Sequence, residues 1–454
     1  MATLAAGLAV VVRVFGGGPW RAGFFYVDAL GAFMVGCIVG VAALANLYSH
    51  GYFHRSLGDG SLSLQRFRGY HLWFQVFVAS MLLVVTVANL GVMWAAMEAT
   101  TLASAFLVGF SGSQGALEAS WKYIVICTVG ITLALFGVIL TYYASFHLRG
   151  PGVPSLDWLT LRDEAGELNP GLLRLGFIFI LVGFGTKVGL APMHTWLPDA
   201  HSQAPSPVSG LLSGVLLPTA LYGVLRFHLL LVKDLGPAYS SHLLLLFGLV
   251  SMGVAVPFIL LQGELKRLLA YSSLEHMGVV TFAVGLGTRL AFYGAALQLL
   301  AHALAKSLLF FCAGNIMEKY GTQKLPKIAG LVGTLPWTGP IFLLMVLAVA
   351  GMPPFGLFLS ELTILRAGFA GGAAMVTVIF LFLLAAVFAG LAFYAGRVAL
   401  GKAGSNVPRG EPVRWFPYLS LAPLLALLFL GLGIPGPLTA GLSQVAAVLG
   451  GVTP

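Results

Sequence analysis

The chain has 454 residues, of which 59% are hydrophobic and only 9% charged. A soluble domain carries about 25% charged residues, so a soluble globular protein is excluded. The net charge of +9 is not a nucleic-acid footprint, because most basic residues fall in short connecting loops, the pattern that orients membrane helices.

Each membrane-spanning helix takes about 20 apolar residues, so a dozen or so spans fit. The apolar runs are continuous rather than alternating, which argues against a membrane β-barrel. The expected fold is therefore an all-α polytopic membrane protein with about 12–13 transmembrane helices. Cys37, Cys127 and Cys312 are isolated in apolar runs, with no CxxC or Cys/His cluster. They read as small buried hydrophobes, and no metal or other cofactor is expected. GxxxxGK[ST] and HExxH patterns are absent, so P-loop nucleotide chemistry and metal-dependent proteolysis have no support. Leu4 to Val14 lacks a basic flank and a cleavage site, so no cleavable signal is expected.

In chain order, residues 1–16 form a short apolar segment, interrupted by Arg13 and stopped by Gly16-Gly17-Gly18-Pro19. It is marginal as a span. Spans are predicted at 27–48, 71–88, 90–110, 118–145, 172–200 (broken), 206–231, 239–262, 264–287, 291–316, 336–367 (broken), 372–399 and 415–434. One face carries Arg55, Arg66, Arg68, Lys122, Lys266, Arg267 and the basic residues of 319–327 and 402–414. The other carries fewer: Arg149, Arg162, Arg174, Lys233, Arg289 and Arg366. The first face is expected to be cytoplasmic, with the C-terminus outside.

Two breaks organise the chain. In GFGTKVGLAPMHTWLPDAHSQAPSPVSG, residues 183–210, Lys187 stands inside an apolar run and Pro192 interrupts the helix. A lysine there marks a hydrated functional cavity, or else snorkels to the interface. A broken helix in a membrane is tolerated only against protein or water. The second break is Gly351-Met352-Pro353-Pro354, and in both segments an acid, Asp199 or Glu361, follows the last proline by seven residues. Each break is the fourth span of a run of five, 71–231 and 239–399. An odd number of spans inverts the second unit, a common transporter plan with ion sites at the breaks. Two unrelated proline kinks are the competing reading. The expected division is 1–70 for N-terminal helices, 71–231 and 239–399 for two inverted five-helix repeats, and 400–454 for a C-terminal helix.

The pattern GxxxKxxLxPxHxWLPDAHSQAPxPVS resembles the signature of a family of antiporter-like membrane subunits. That family is shared by respiratory complex I, Mrp-type cation/proton antiporters and membrane-bound nickel–iron hydrogenases. The resemblance extends at lower specificity over residues 27–430. It implies a proton-translocating subunit without redox centres. Against the family, the helices before Tyr26-Val27-Asp28 read as truncated.

Buried polar residues give the candidate path. Glu98 is the only charge in its span, and the resemblance pairs it with Lys187. Gln298, His302 and Lys306 stand at i, i+4 and i+8 and form one polar stripe. The resemblance makes the lysine matched by Lys306 central to the proton route. Glu275 and His276 lie well inside span 264–287, whereas Lys266 and Arg267 open it, where anchoring competes with transport. Glu361 resembles the terminal residue of the family's path, with capping of the second half-helix as the alternative. Asp199 and His201 lie near the first break. His194 and His201 are seven apart with no third ligand at suitable spacing, which argues against a metal site. One departure stands out: Pro218 occupies the place of a lysine in complex I's middle antiporter-like subunit, and Ser213 that of a histidine in the distal one. The link from Lys187 to Lys306 then runs through water, or through His276 and serines such as Ser209 and Ser213; otherwise the path is interrupted.

The expected function is proton translocation as a multi-pass subunit in a prokaryotic cytoplasmic membrane. The resemblance implies other membrane-arm subunits and a peripheral redox module as partners, of hydrogenase-4 or formate-hydrogenlyase type. The alternatives are a sodium/proton antiporter subunit or the membrane half of an inorganic-carbon uptake system. A scaffold that kept the fold and lost transport is a third.

Overall fold

A computed structural model describes residues 2–146, 156–404 and 407–451. Arg149, counted above among the outer charges, lies outside them. The order is α1 (Ala2–Gly17), a hairpin of β1 (Trp20–Ala22) and β2 (Phe25–Val27), α2 (Ala29–Tyr52), α3 (His54–Gly58), α4 (Leu64–Thr86), α5 (Leu90–Val108) and α6 (Gln114–Ala144). Then come α7 (Trp158–Asp163), α8 (Pro170–Val188), α9 (Trp196–Gln203), α10 (Ser206–Leu211), a π turn (Leu212–Leu216), α11 (Leu217–Leu235), α12 (Ala238–Leu260) and α13 (Leu265–Gly285). The chain continues through α14 (Arg289–Tyr320), α15 (Leu331–Thr334), α16 (Thr338–Val349), α17 (Gly356–Ala370), α18 (Ala374–Leu400), α19 (Phe416–Leu432) and α20 (Gly436–Leu449).

Among the described residues nine helices are long and apolar enough to cross a membrane. The protein is thus an all-α polytopic membrane protein. The other three predicted spans are α13, whose Lys266, Arg267 and Glu275 lower its hydropathy, the broken pair α16–α17, and α19. The long helices begin where polar caps stand: Asp28, Ser63, Asn89, Ser113 and Asn169 each accept a backbone N–H of the first turn. Three features escaped the pattern. Tyr26 and Val27 belong to a strand, so α2 starts two residues later than expected, at Ala29. A short helix, α7, follows span α6. The C-terminal segment holds two helices bent by 78°, not one.

Helices pack through small residues, as membrane helices do where dispersion must replace the hydrophobic effect. A methyl group on Gly183 would sit 2.5 Å from the backbone nitrogen of Ala134, so α8 and α6 approach backbone to backbone.

The two breaks share local geometry. Gly189 ends α8 at φ +79° and Gly351 follows α16 at φ +80°. Gly189 N–H donates to Thr186 O and Leu190 N–H to Gly185 O; Gly351 N–H donates to Ala348 O and Met352 N–H to Leu347 O. Both are Schellman caps, which need a left-handed residue that glycine adopts without strain. Each glycine is followed after three residues by proline and after ten by the acid.

Candidate functional site

Two buried polar clusters lie along the bundle, one beside each break. In the first, Lys187 occupies the last turn of α8 and is fully buried, so it does not snorkel. Its Nζ donates to Thr101 Oγ1 at 2.9 Å and to the Tyr123 hydroxyl, and stands 4.7 Å from the Tyr123 ring centre. That hydroxyl pairs with Ser104 Oγ at 2.7 Å. Glu98 lies one turn before Thr101 on α5 and is half-buried. It accepts from Thr101 at 3.4 Å and from Thr128 of α6 at 3.1 Å. Trp196, after the break, packs on Tyr123 with ring centres 4.8 Å apart and donates to Thr186 O, which fixes the turn carrying the lysine.

The second cluster joins α13, α14 and α17. Gln298, His302 and Lys306 are all fully buried on one face of α14. Lys306 Nζ donates to Ser272 Oγ and to Leu269 O. His302 Nε2 lies 3.0 Å from Ser213 O, and this contact has a backbone cause. In the π turn Leu217 N–H bonds to Leu212 O, one residue further back than in an α-helix. The Ser213 carbonyl is thereby released, and a ring N–H is its acceptable partner. Pro218, which has no N–H, follows at once, and its missing donor favours the irregular turn. His276 Nδ1 sits 2.8 Å from Gln298 Nε2, Ser360 donates to Gln298 Oε1, and the His276 and His302 ring centres are 5.1 Å apart. Glu275 Oε2 lies 3.6 Å from His276 Nε2. Glu361 is buried on α17 with its carboxyl against Gly351.

Not every candidate joins these clusters. Glu361 does not cap α17: that helix starts at Gly356 and has no side-chain cap. Asp199 is at the surface, paired with Arg267 at 3.1 Å and Lys122 at 3.5 Å. Lys266 is fully buried and donates to Ala204 O, so it is no interfacial anchor. His201 is buried, stacked on Phe310 with ring centres 5.1 Å apart and within electrostatic reach of Lys266 and Lys306. Ser213 Oγ pairs with Ser273 Oγ at 2.7 Å, whereas Ser209 Oγ donates to His201 O. Among the described residues no side-chain hydrogen bond joins the Lys187 cluster to the Lys306 cluster.

Sequence reading missed the hydroxyls and one ion pair. Thr101 and Tyr123 make the contacts with Lys187 that were expected of Glu98, Thr128 donates to Glu98, and Ser272 and Ser360 bond Lys306 and Gln298. Arg226 of α11 grips Asp28 at 2.6 and 2.8 Å, both nearly fully buried, with its guanidinium 4.5 Å from the Trp158 ring centre. The rule that flagged Lys187, a charge inside an apolar run, applies equally to Arg226 and would have found it.

The chain matches the NADH:quinone oxidoreductase/Mrp antiporter transmembrane family over residues 87–389. It is 40% identical over 347 residues to the hydrogenase-4 component F homolog of Methylacidiphilum infernorum (isolate V4), covering 76% of this chain and 73% of that one. It is 32% identical over 331 residues to NADH-quinone oxidoreductase subunit M of Escherichia coli (strain K12), covering 71% of this chain and 62% of that protein. Its fold resembles a chain of the membrane-bound sulfane sulfur reductase, an archaeal respiratory membrane complex, with TM-score 0.85 and 23% identity over 99% of this chain and 90% of that one. The chain is therefore an antiporter-like membrane subunit that belongs to the NADH:quinone oxidoreductase/Mrp antiporter family.

Proposed function

We propose that the chain translocates protons as one membrane subunit of a redox-driven complex of the membrane-bound hydrogenase type, in a prokaryotic cytoplasmic membrane. The path runs through Glu98, Lys187, His276, His302, Lys306 and Glu361. The observation that carries this reading is the environment of the two lysines. Lys187 and Lys306 are fully buried, and the side chains they bond are hydroxyls rather than carboxylates. Such a lysine can give up its proton without stranding a buried carboxylate charge. A hydroxyl also serves either state, accepting from an ammonium and donating to an amine. The 40% identity to a hydrogenase-4 component F homolog supports the choice of complex. The matched breaks support reading 71–231 and 239–399 as inverted repeats, each carrying one of the two lysines.

The test is proton uptake by vesicles containing the whole complex, driven by its redox substrate. Lys306→Ala is expected to abolish uptake while a native gel shows full assembly. Lys306→Arg is expected to retain little, since arginine holds its proton at any accessible pH. Wild-type uptake by an assembled Lys306→Ala complex overturns the reading.

A further inference from the structure

One short helix, α9, is tied to both lysine clusters, although among the described residues no side-chain hydrogen bond joins them. Its first residue holds the Lys187 side. Trp196 Nε1 donates at 2.8 Å to Thr186 O, the carbonyl next to Lys187 in the chain. The Trp196 ring packs on Tyr123, whose hydroxyl accepts from the lysine. At the other end the helix stops at Ala204, whose carbonyl takes a hydrogen bond from Lys266 Nζ. Lys266 stands fully buried in the first turn of α13, and among the described residues this is its one side-chain hydrogen bond. One turn further along α13, Leu269 O accepts from Lys306 Nζ at 3.3 Å, and after another turn Ser272 Oγ accepts from it too.

The line from Lys187 to Lys306 is therefore continuous, and it is short. α9 has eight residues, a length of about 12 Å. Most of its side chains are buried, and close-packed interiors transmit strain rather than absorb it. The helix is also held against slipping. Ala191 N–H, at the break before it, donates to Ser251 Oγ of α12 at 3.0 Å, and Asp199 pairs with Lys122 of α6 and Arg267 of α13. At both lysines the contacts depend on the proton carried: an ammonium offers three N–H donors and no lone pair, and an amine offers two donors and one lone pair.

We propose that Lys266 is a positioning residue that makes α9 a mechanical strut between the two clusters. The inference rests on the proton path proposed above and supplies the link between its halves that no side-chain bond provides. A proton gained or lost at Lys306 changes its pull on Leu269 O and Ser272 Oγ. The first turns of α13 shift in response, Lys266 carries Ala204 with them, and α9 passes the movement to Trp196. Thr186 and Tyr123, the groups that place Lys187, move last. Lys266 itself keeps its proton throughout, as a cation at the C-terminal end of a helix is favoured.

The experiment measures redox-driven proton uptake by vesicles holding the whole complex, with assembly checked on a native gel. Lys266→Gln is expected to lower uptake about tenfold, the size of one hydrogen bond from a charged group. Trp196→Phe keeps a ring on Tyr123 but loses the N–H to Thr186 O, and is expected to lower uptake about fivefold. The double variant is expected to lose about tenfold, no more than Lys266→Gln alone, because both changes cut the same strut. Two separate packing defects would multiply to about fiftyfold, and that result overturns the proposal. Lys266→Arg keeps the charge and the donors but does not release a proton, so it is expected to retain most uptake. An assembled but inactive Lys266→Arg complex would make Lys266 a proton carrier and overturns the strut, as does wild-type uptake by Lys266→Gln. Should Lys266→Gln fail to assemble, Lys266→Arg still decides. Lys306→Ala separates this from the parent reading. If that variant pumps, the path is wrong; if it is dead while the Trp196 and Lys266 losses multiply, only the strut is wrong.

Discussion

Lys187 is linked to Glu98 through Thr101, whose hydroxyl accepts from the lysine at 2.9 Å and lies 3.4 Å from the carboxylate. The gap that a direct ion pair would close is filled by a side chain one turn along the same helix as Glu98. The arrangement keeps the two charges in communication without binding them to each other. A direct buried pair would hold both charges fixed and resist proton release.

Thr101→Val keeps the shape and removes the hydroxyl. It is expected to lower proton uptake about tenfold, the equivalent of one hydrogen bond to a charged group. Thr101→Ser is expected to retain most uptake. Wild-type rates in assembled Thr101→Val vesicles would show that Lys187 and Glu98 communicate by another route.

The Asp28–Arg226 pair is expected to matter for stability rather than transport. It ties the start of α2 to α11, and Asp28 also caps α2 through Gly31 N–H at 2.9 Å. Asp28→Ala leaves a buried guanidinium without its partner, which costs about 3–5 kcal/mol. The purified complex should therefore lose the subunit at a lower temperature. Asp28→Leu with Arg226→Leu should be milder than either single change, because no charge is stranded. Equal loss in the double variant would mean that packing, not charge, dominates the site.

Much of this architecture was legible in the residues. The spans, both breaks and the buried Lys187, Gln298, His302 and Lys306 follow from apolar run length, from proline and from i, i+4, i+8 spacing. The partners were not legible, because a threonine or tyrosine hydroxyl inside a helix leaves no pattern of its own. Nothing in the local sequence says that Ser272 of α13 faces Lys306 of α14. Asp199 misled for a related reason. Its distance from the proline matches that of Glu361, yet α9 has only eight residues and brings Asp199 to the surface between Lys122 and Arg267.

If the two five-helix units are inverted, the ends of the two second half-helices open on opposite sides of the membrane. Single cysteines at Gln203, the last residue of α9, and at Gly372, just after α17, report this. An impermeant thiol reagent is expected to label Gln203→Cys from the basic-loop side only and Gly372→Cys from the other side only. The native Cys37, Cys127 and Cys312 are buried, which keeps the background low. Labelling of both positions from one side would exclude inversion.

Pro218 is expected to act through the backbone. The π turn leaves Ser213 O for His302, and the proline cannot supply the N–H that would help regularise the helix. Pro218→Ala restores that donor. The segment is then expected to relax toward a regular α-helix, with Leu217 N–H returning to Ser213 O. His302 Nε2–H loses its acceptor, a penalty of about 1–3 kcal/mol for a buried donor. The ring is then free to turn, and its contact with His276 is lost. Proton uptake should fall although the helix itself gains a hydrogen bond, so the loss of transport would trace to His302 and not to a weaker helix. His302→Gln alone should lower uptake, and adding Pro218→Ala to it should change little, since both act on one contact. Additive losses would assign Pro218 a role separate from His302, and undiminished uptake in Pro218→Ala would show that the irregular turn is not needed for transport.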